Sequence, residues 1–209
     1  MWTQLCQLLF PINTLGANWN KPPTIDSLTA KPPLTAQVSL PSSVQRLDDS
    51  AITEVRVDMA DMKVESRPVT LVTNVGSCVA ICIHDPINKC GGLAHIMLPS
   101  SKITQHSYLP SKYADTAVPA LTSAIRRAEK SNCGLTAKIA GGANMFPKLN
   151  SSTLNIGMKN VEAVKEALAN KGIKLVAEDV RGTYGRRVAF NIADGSVCVK
   201  NGNGEIKKI

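Results

Sequence analysis

Residues 74–98 read NVGSCVAICIHDPINKCGGLAHIML, and this stretch decides the fold. Apolar residues alternate with smaller or polar ones across 79–84, which is the period of a half-buried β-strand. An Asp-Pro pair at 85–86 begins a turn, and a Gly-Gly pair at 91–92 ends it. Residues 93–98 are apolar again. The stretch therefore predicts two neighbouring strands joined by a short turn.

The rest of the patterned chain predicts more strands than helices. Strand-like segments, rich in β-branched or alternating residues, lie at 53–58, 68–73, 135–140, 173–177, 187–192 and 196–200. The last two are joined by Asp194-Gly195, a dipeptide typical of tight hairpins. Helices are predicted over 115–131, with Pro119 in its first turn, and over 160–171, ended by Gly172. Because the helices are interspersed among the strands, we expect a mixed-strand α/β sandwich with two main helices.

The composition predicts one domain with an appendage. Of the 209 residues, 44% are hydrophobic but only 4% are aromatic, so an aliphatic core is expected. Residues 1–50 hold six of the twelve prolines and both tryptophans without sustained periodicity. We predict that they form an irregular or disordered N-terminal extension, and that residues 51–209 form a single domain.

The start of the chain argues against export. Residues 1–15 are apolar, but Pro11 interrupts them and no Lys or Arg precedes Lys21, which makes a poor secretory signal. No run approaches the roughly 18 uninterrupted apolar residues of a membrane-spanning helix. The sequence predicts a cytoplasmic protein without membrane insertion.

The charge distribution indicates an acidic partner. The net charge is +8, and charges cancel within residues 1–50, so the whole excess lies in 51–209. Basic residues are spread out and lack the interleaved aromatics of a nucleic-acid stacking platform. An acidic protein therefore fits this surface at least as well as nucleic acid does, and we expect no nucleic acid as a partner.

Cys78 and His95 are the candidate chemical pair. A cysteine attacks as its thiolate, so it needs a neighbour that takes its proton, and a histidine brought across a hairpin can form an ion pair with it. Gly76 and Ser77 leave room beside the thiol, and the amides of that turn can form an oxyanion hole.

Two other interpretations of these residues stay open on spacing alone. Free cysteines are among the most buried residue types, so the pair can be a structural coincidence. Cys78, Cys82, Cys90 and His95 can also be considered as zinc ligands, although their spacing resembles neither of the usual paired CxxC arrangements.

Two glycine-containing loops are the remaining candidates for a functional role. GGANMF at 141–146 lacks a full phosphate-binding motif, and close packing near the site explains it better. RGTYGRR at 181–187 predicts either a tight turn that presents a guanidinium to an acidic partner or an ordinary solvated loop.

Five motifs, in this order, carry a resemblance to a known family. They are VGSCVAICIHDP, GGLAHIMLP, KIAGGANMF, IGMKNVEAVKEAL and VAEDVRGTYGRRVAF, and they cover roughly residues 53–200. The chain resembles the CheD family, the chemoreceptor glutamine deamidases of chemotaxis. The N-terminal fifty residues match nothing in that family, and Arg181 stands where the family commonly has glycine.

The resemblance implies a cysteine hydrolase, a protein-glutamine glutaminase that converts receptor glutamines to glutamates and releases ammonia. It implies Cys78 as the nucleophile, His95 as the base and a threonine before the GSC motif as the third member. Thr73 is the best match and Thr70 a poorer one.

The resemblance also implies partners. The cytoplasmic domains of chemoreceptors, which are long acidic helical bundles, are the expected substrate, and a CheC-type phosphatase is a second expected partner. No cofactor and no metal are expected, and we expect a monomer. The alternative is a non-catalytic adaptor on the same fold that regulates the phosphatase and for which Cys78 is dispensable.

Overall fold

The computed structural model describes residues 53–103, 109–129, 134–145 and 155–209. These residues form two mixed five-stranded sheets and two α-helices. The predicted mixed-strand α/β sandwich with two main helices is therefore confirmed. The predicted extension, residues 1–50, lies outside the described residues.

One sheet, called the outer sheet, has the strand order β1-β3-β8-β9-β10. Its strands are β1 (Glu54–Arg56), β3 (Thr70–Val75), β8 (Arg186–Asn191), β9 (Val197–Asn201) and β10 (Ile206–Lys208). The β1–β3 pair is parallel, and the other pairs are antiparallel. Asp194-Gly195 forms the predicted hairpin turn between β8 and β9, with Gly195 at a φ of 69°.

The other sheet, called the central sheet, has the order β2-β5-β4-β6-β7. Its strands are β2 (Met62–Glu65), β4 (Val79–Asp85), β5 (Cys90–Ile96), β6 (Thr136–Gly141) and β7 (Lys174–Val180). The helices are α1 (Ala114–Glu129) and α2 (Ile156–Asn170), and short 3₁₀ turns span Ser101–Ile103 and Pro110–Lys112. The parallel β6–β7 pair is connected through α2. No helix in the described part of the chain is long and apolar enough to cross a membrane.

Both faces of the central sheet are covered. One face packs on the outer sheet through a core that includes Leu71, Leu93, Val188 and Phe190. The other face packs on the two helices through a second core, which includes Ile81, Ile96, Leu121 and Val164. All seven residues of β4 are consequently buried, and the prediction of a half-buried strand over 79–84 was wrong. Alternate residues of β4 point into the two different cores, and neither face of the strand is exposed to solvent.

The hairpin between β4 and β5 is shorter than predicted, because β5 begins at Cys90 and contains both glycines. A Cβ on Gly91 would lie 2.8 Å from the Ile83 carbonyl oxygen. A Cβ on Gly92 would lie 2.7 Å from Leu121 Cδ1. The two glycines are therefore strand residues in a place with no room for a side chain, and not the end of a turn.

The first helix contains its proline further along than predicted. Pro119 is the sixth residue of α1, which begins at Ala114, so it lies beyond the first turn and removes one backbone hydrogen bond. Asp115 does not cap the helix, because its carboxylate accepts hydrogen bonds from the Ser101 amide and from the hydroxyls of Ser100 and Ser101. The second helix ends as predicted, with Gly172 at a φ of 64°.

Candidate active site

Cys78 lies in the bend that carries the chain from the outer sheet to the central sheet. The bend, Gly76–Cys78, follows β3 and precedes β4. The side chain of Cys78 is half-buried and packs against the core between the sheets. His95 pairs with Ala80 in the β4–β5 ladder, which makes it the diagonal neighbour of Cys78 on the same face. The hairpin therefore brings the two candidate residues together.

Thr73 joins His95 from the opposite sheet. Its Oγ1 lies 2.8 Å from His95 Nδ1. Both side chains are buried, with 5% of Thr73 and 3% of His95 exposed. Thr70 is also buried, but its hydroxyl has no hydrogen-bond partner among the described residues. The threonine that touches the histidine is thus Thr73, the better of the two matches to the family pattern.

The other ring nitrogen of His95 is available for chemistry. Nε2 is buried and has no hydrogen-bond partner in the described ranges, so the Cys78 thiol is not hydrogen-bonded to it in this state. When the Thr73 hydroxyl accepts the proton of Nδ1–H, Nε2 carries the lone pair that a general base needs. Hydrogen bonds of this kind are often long in a free enzyme and shorten when substrate binds.

Burial shifts the pKa values of Cys78 and His95 in opposite directions. It raises the pKa of the Cys78 thiol, and a hydrogen bond from the residue's own backbone amide opposes that shift. Burial also lowers the pKa of the His95 imidazole, and the negative charge of Asp58 opposes that shift. Both shifts have the same cause, because desolvation penalises the charged form of each group. The ion pair between Cys78 and His95 stays a prediction.

Each carbonyl of the bend accepts a hydrogen bond. The carbonyl oxygens of Gly76 and Cys78 accept hydrogen bonds from the amides of Ala143 (2.8 Å) and Gly142 (2.7 Å). The carbonyl of Ser77 accepts one from the Asn160 side chain at 3.0 Å. In a trans peptide the N–H points opposite to the preceding C=O, so the amides of Ser77 and Cys78 point away from these donors. That orientation suits an oxyanion hole beside the thiol.

Gly141 is required for the loop to approach the bend. Its φ is +117°, and a Cβ there would lie 2.3 Å from the Cys78 carbonyl oxygen. Residues 141–143 of this segment therefore pack closely against the bend, as predicted.

We expect Gly141→Ala to lower the free energy of unfolding by at least about 2 kcal/mol, because the new methyl group meets backbone that cannot move aside. Urea unfolding measures the effect. Gly134→Ala is the matched control, since a Cβ at Gly134 meets nothing within 4 Å and should change stability by less than about 1 kcal/mol. Equal stabilities for the two variants would contradict the close approach.

The structure does not assemble the zinc set considered above. Cys82 belongs to the core between the sheets, whereas Cys90 belongs to the core between the central sheet and the helices. The two thiols therefore lie on opposite faces of the central sheet. Within the described ranges, no three His, Cys, Asp or Glu side chains converge as metal ligands do.

The RGTYGRR loop does not present Arg186 to a partner. Arg186 is buried, and its Nε donates to Asp179 Oδ1 at 2.6 Å. Its other nitrogens donate to the carbonyls of Tyr184 (3.1 Å) and Arg181 (2.8 Å), which fixes the loop. The loop instead displays Tyr184, whose exposed fraction is 54%. Arg187 forms an ion pair with Glu54 at 2.6 Å.

A basic pocket of about 580 Å³ opens beside Gly76. Asn74, Arg187 and Lys200 lie opposite one another on β3, β8 and β9 and line it in a row. Arg186 and Met145 also contribute to its wall, and no Asp or Glu stands among the described residues that line it. Two of its basic side chains are paired with carboxylates, Arg186 with Asp179 and Arg187 with Glu54, and part of its lining is apolar.

Sequence reasoning missed Asn160. It is a polar residue with 0% exposure in α2, where Gly157, Val161 and Val164 are also buried. An asparagine on the apolar face of a predicted helix is the signal that was available, because a buried amide must find hydrogen-bond partners.

The comparisons with known proteins agree with one another. The CheD chemotactic sensory transduction family matches residues 97–201. A chemoreceptor glutamine deamidase CheD of Thermotoga maritima is 44% identical over 158 residues, which are 73% of this chain and 98% of the relative. Proteins named probable chemoreceptor glutamine deamidase CheD include one of Desulforamulus reducens, 42% identical over 75% of this chain and 95% of the relative. Another, of Caldanaerobacter subterraneus, is 47% identical over 70% of this chain and 91% of the relative.

Proposed function

This chain belongs to the CheD family, and we propose from that premise that it deamidates glutamine side chains of chemoreceptors in chemotaxis, using Cys78 as its nucleophile. The observation that carries the proposal is the 2.8 Å contact between Thr73 and His95, which leaves Nε2 of the imidazole without a partner among the described residues. That nitrogen belongs to a side chain on the same sheet face as Cys78.

The first half of the proposed reaction forms a thioester. His95 Nε2 takes the thiol proton while Cys78 Sγ bonds to the carboxamide carbon of the glutamine. The carbonyl electron pair moves to oxygen, and the amides of Ser77 and Cys78 stabilise that oxyanion. The proton on Nε2 then passes to the amide nitrogen, the C–N bond breaks, and ammonia leaves.

The second half restores the enzyme. Water attacks the thioester carbon while Nε2 takes one of its protons. The C–S bond then breaks, the sulfur recovers the proton from Nε2, and the product leaves as a carboxylic acid that ionises to glutamate and gives its proton to the released ammonia. In both halves Thr73 holds the imidazole through Nδ1, so Nε2 serves each proton transfer. The net change is glutamine plus water to glutamate plus ammonium, and no cofactor takes part.

The charge of the approach supports a receptor as substrate. The basic pocket beside Gly76 is lined by Lys200 and by Arg187, which is paired with Glu54, and the patterned part of the chain carries the whole net charge of +8. An acidic helical bundle is attracted to such a surface, which raises the association rate at low salt. The reaction takes place in the cytoplasm, where receptor signalling domains lie, and a monomer suffices for it.

The proposal is tested by incubating the full-length protein with the cytoplasmic fragment of a receptor from the same organism. Peptide mass spectrometry should find specific glutamines converted to glutamates, a gain of about 1 Da each, with an equal amount of ammonia released. A fragment that stays unmodified after prolonged incubation would overturn the deamidase proposal. The adaptor alternative would then take its place.

The acidic limb of the pH dependence of kcat/KM follows from the shifted pKa of His95. Neutral His95 is the active form, and burial lowers its pKa below the ordinary value of 6.5, so the acidic limb should lie below pH 6.5. Asp58→Asn should move that limb to still lower pH, because the carboxylate of Asp58 raises the pKa of His95. Steady-state deamidation from pH 5 to 9 measures both. An acidic limb above pH 7 in the wild type would contradict the assignment of neutral His95 as the base.

A CheC-type phosphatase is the second partner we propose. The exposed ring of Tyr184, on a loop fixed by the buried Arg186, offers the rigid aromatic anchor that protein interfaces favour. Calorimetric titration of the phosphatase with the Tyr184→Ala variant should show binding weakened at least about tenfold. Unchanged affinity would place the interface elsewhere on the surface.

A further inference from the structure

The β4–β5 ladder opens at the position of Cys78. Its last pair is Val79 with Ile96, and the next residues in register are Cys78 and Met97. They do not continue the ladder, because the Cys78 carbonyl accepts from the Gly142 amide and the Met97 amide donates to the Lys112 carbonyl. The two strands that carry the thiol and the imidazole therefore part where the chemistry is proposed to occur.

Asn160 spans this opening. Its Nδ2 donates to the carbonyl oxygen of Ser77 at 3.0 Å and to that of Met97 at 2.9 Å. The side chain is fully buried in α2, so neither bond is exchanged for water. The orientation of the amide is determined by its partners, because both are acceptors and only the NH₂ group can donate to them.

One of these bonds also orients the Cys78 amide. The Ser77 carbonyl and the Cys78 N–H belong to the same peptide plane, so holding the oxygen holds the N–H in the opposite direction. That N–H is the one that bonds to the Cys78 sulfur and opposes the effect of burial on the pKa of the thiol. Asn160 thus fixes both the separation of the two strands and the direction of the amide nearest the nucleophile.

We propose that Asn160 is a positioning residue: it clamps the open end of the β4–β5 ladder, and so sets the geometry and the reactivity of Cys78. It reaches neither the substrate nor the thiol, and it acts through the two carbonyls. The consequence for turnover rests on the proposed deamidase function, but the consequence for the thiol does not.

The test compares Asn160→Ala and the milder Asn160→Ser with the wild type. The rate of Cys78 alkylation by iodoacetamide is measured from pH 6 to 11 by site-resolved mass spectrometry. With the clamp lost, the amide no longer supports the thiolate, and the midpoint of the profile should rise by at least about 0.5 pH unit. Deamidation of the receptor fragment should lose about 10–100-fold in kcat with KM changed less than threefold, because misplacement affects the chemical step.

Val164→Ala is the matched control. It removes buried methyl groups four residues along the same helix without touching either carbonyl, and it should destabilise the protein while leaving the midpoint in place. Circular dichroism shows which variants are folded. If Asn160→Ala does not fold, the test is made with Asn160→Ser. An unchanged alkylation midpoint in a folded Asn160 variant would overturn the proposal. Absence of wild-type deamidation would overturn the proposed function and leave the alkylation test standing.

Discussion

Cys78→Ala is expected to lower deamidation of a receptor fragment by at least about 10³-fold, because Cys78 is the half-exposed thiol on this face, whereas Cys82 is buried in the core. The fold should survive the change. The side chain is half-buried in a bend outside the strands, and the bend is held by its backbone carbonyls rather than by the thiol. We expect the free energy of unfolding to change by less than about 1 kcal/mol. Mass spectrometry of the substrate and urea unfolding measure the two quantities.

Cys82→Ala is the matched control for this experiment. Cys82 lies four residues further along, on the same face of β4, and is fully buried in the core between the sheets. Its removal should cost some stability and leave the deamidation rate within about twofold. If Cys78→Ala retains wild-type activity, the nucleophile is another group and the mechanism proposed here is wrong. Retained phosphatase binding by an inactive Cys78→Ala variant would show that the two roles are separate.

His95→Gln is expected to lower kcat by about 10²–10⁴-fold, because a positioned general base usually accelerates a reaction by that factor. The amide side chain can still meet Thr73, but it cannot accept and return a proton. The acidic limb of the pH profile should therefore disappear together with the activity. Kinetics from pH 5 to 9 at saturating receptor fragment measure both effects, and a residual rate that rises steadily with pH would report direct attack by the ionised thiol.

His84→Gln serves as the control for His95. His84 is also buried and lies on β4, the strand paired with that of His95, but its Nε2 contacts the Ile192 carbonyl oxygen at 2.9 Å, at the far end of the strand. The control should lose stability and keep its acidic limb. If the acidic limb of the pH profile persists in His95→Gln but vanishes in His84→Gln, the general base would be His84 and not His95.

Much of this architecture could be predicted because the signals are local. The alternation across 79–84 predicts a strand whatever its surroundings, and Gly172 ends a helix by its own conformational freedom. The burial of both faces of β4 could not be predicted in the same way, since it depends on the packing of a second sheet that the chain forms from distant segments. The short strands β2 and β10 were missed for a related reason, because each is held by its ladder to a longer neighbour.

The candidate site likewise contains residues that a local sequence pattern predicts and residues that it does not. Cys78 and His95 come together through one hairpin, so their proximity was predictable from residues 74–98. The choice between Thr73 and Thr70 required the spacing between two sheets, which no local pattern contains. Asn160 is further removed, since a helix more than sixty residues beyond the hairpin supplies the amide that bridges its open end.

The contact between Thr73 and His95 joins two separate layers of the molecule. Neither sheet alone makes this contact, because the hydroxyl belongs to the outer sheet and the ring to the central sheet. The length of this hydrogen bond therefore depends on the distance between the two sheets. The packing of the aliphatic core between the sheets determines that distance. If heating or a cavity loosens this core, we expect the distance between the Thr73 hydroxyl and the His95 ring to increase while each sheet retains its own ladder. We therefore expect heating to abolish deamidation at a lower temperature than it removes secondary structure, which activity assays and circular dichroism can compare.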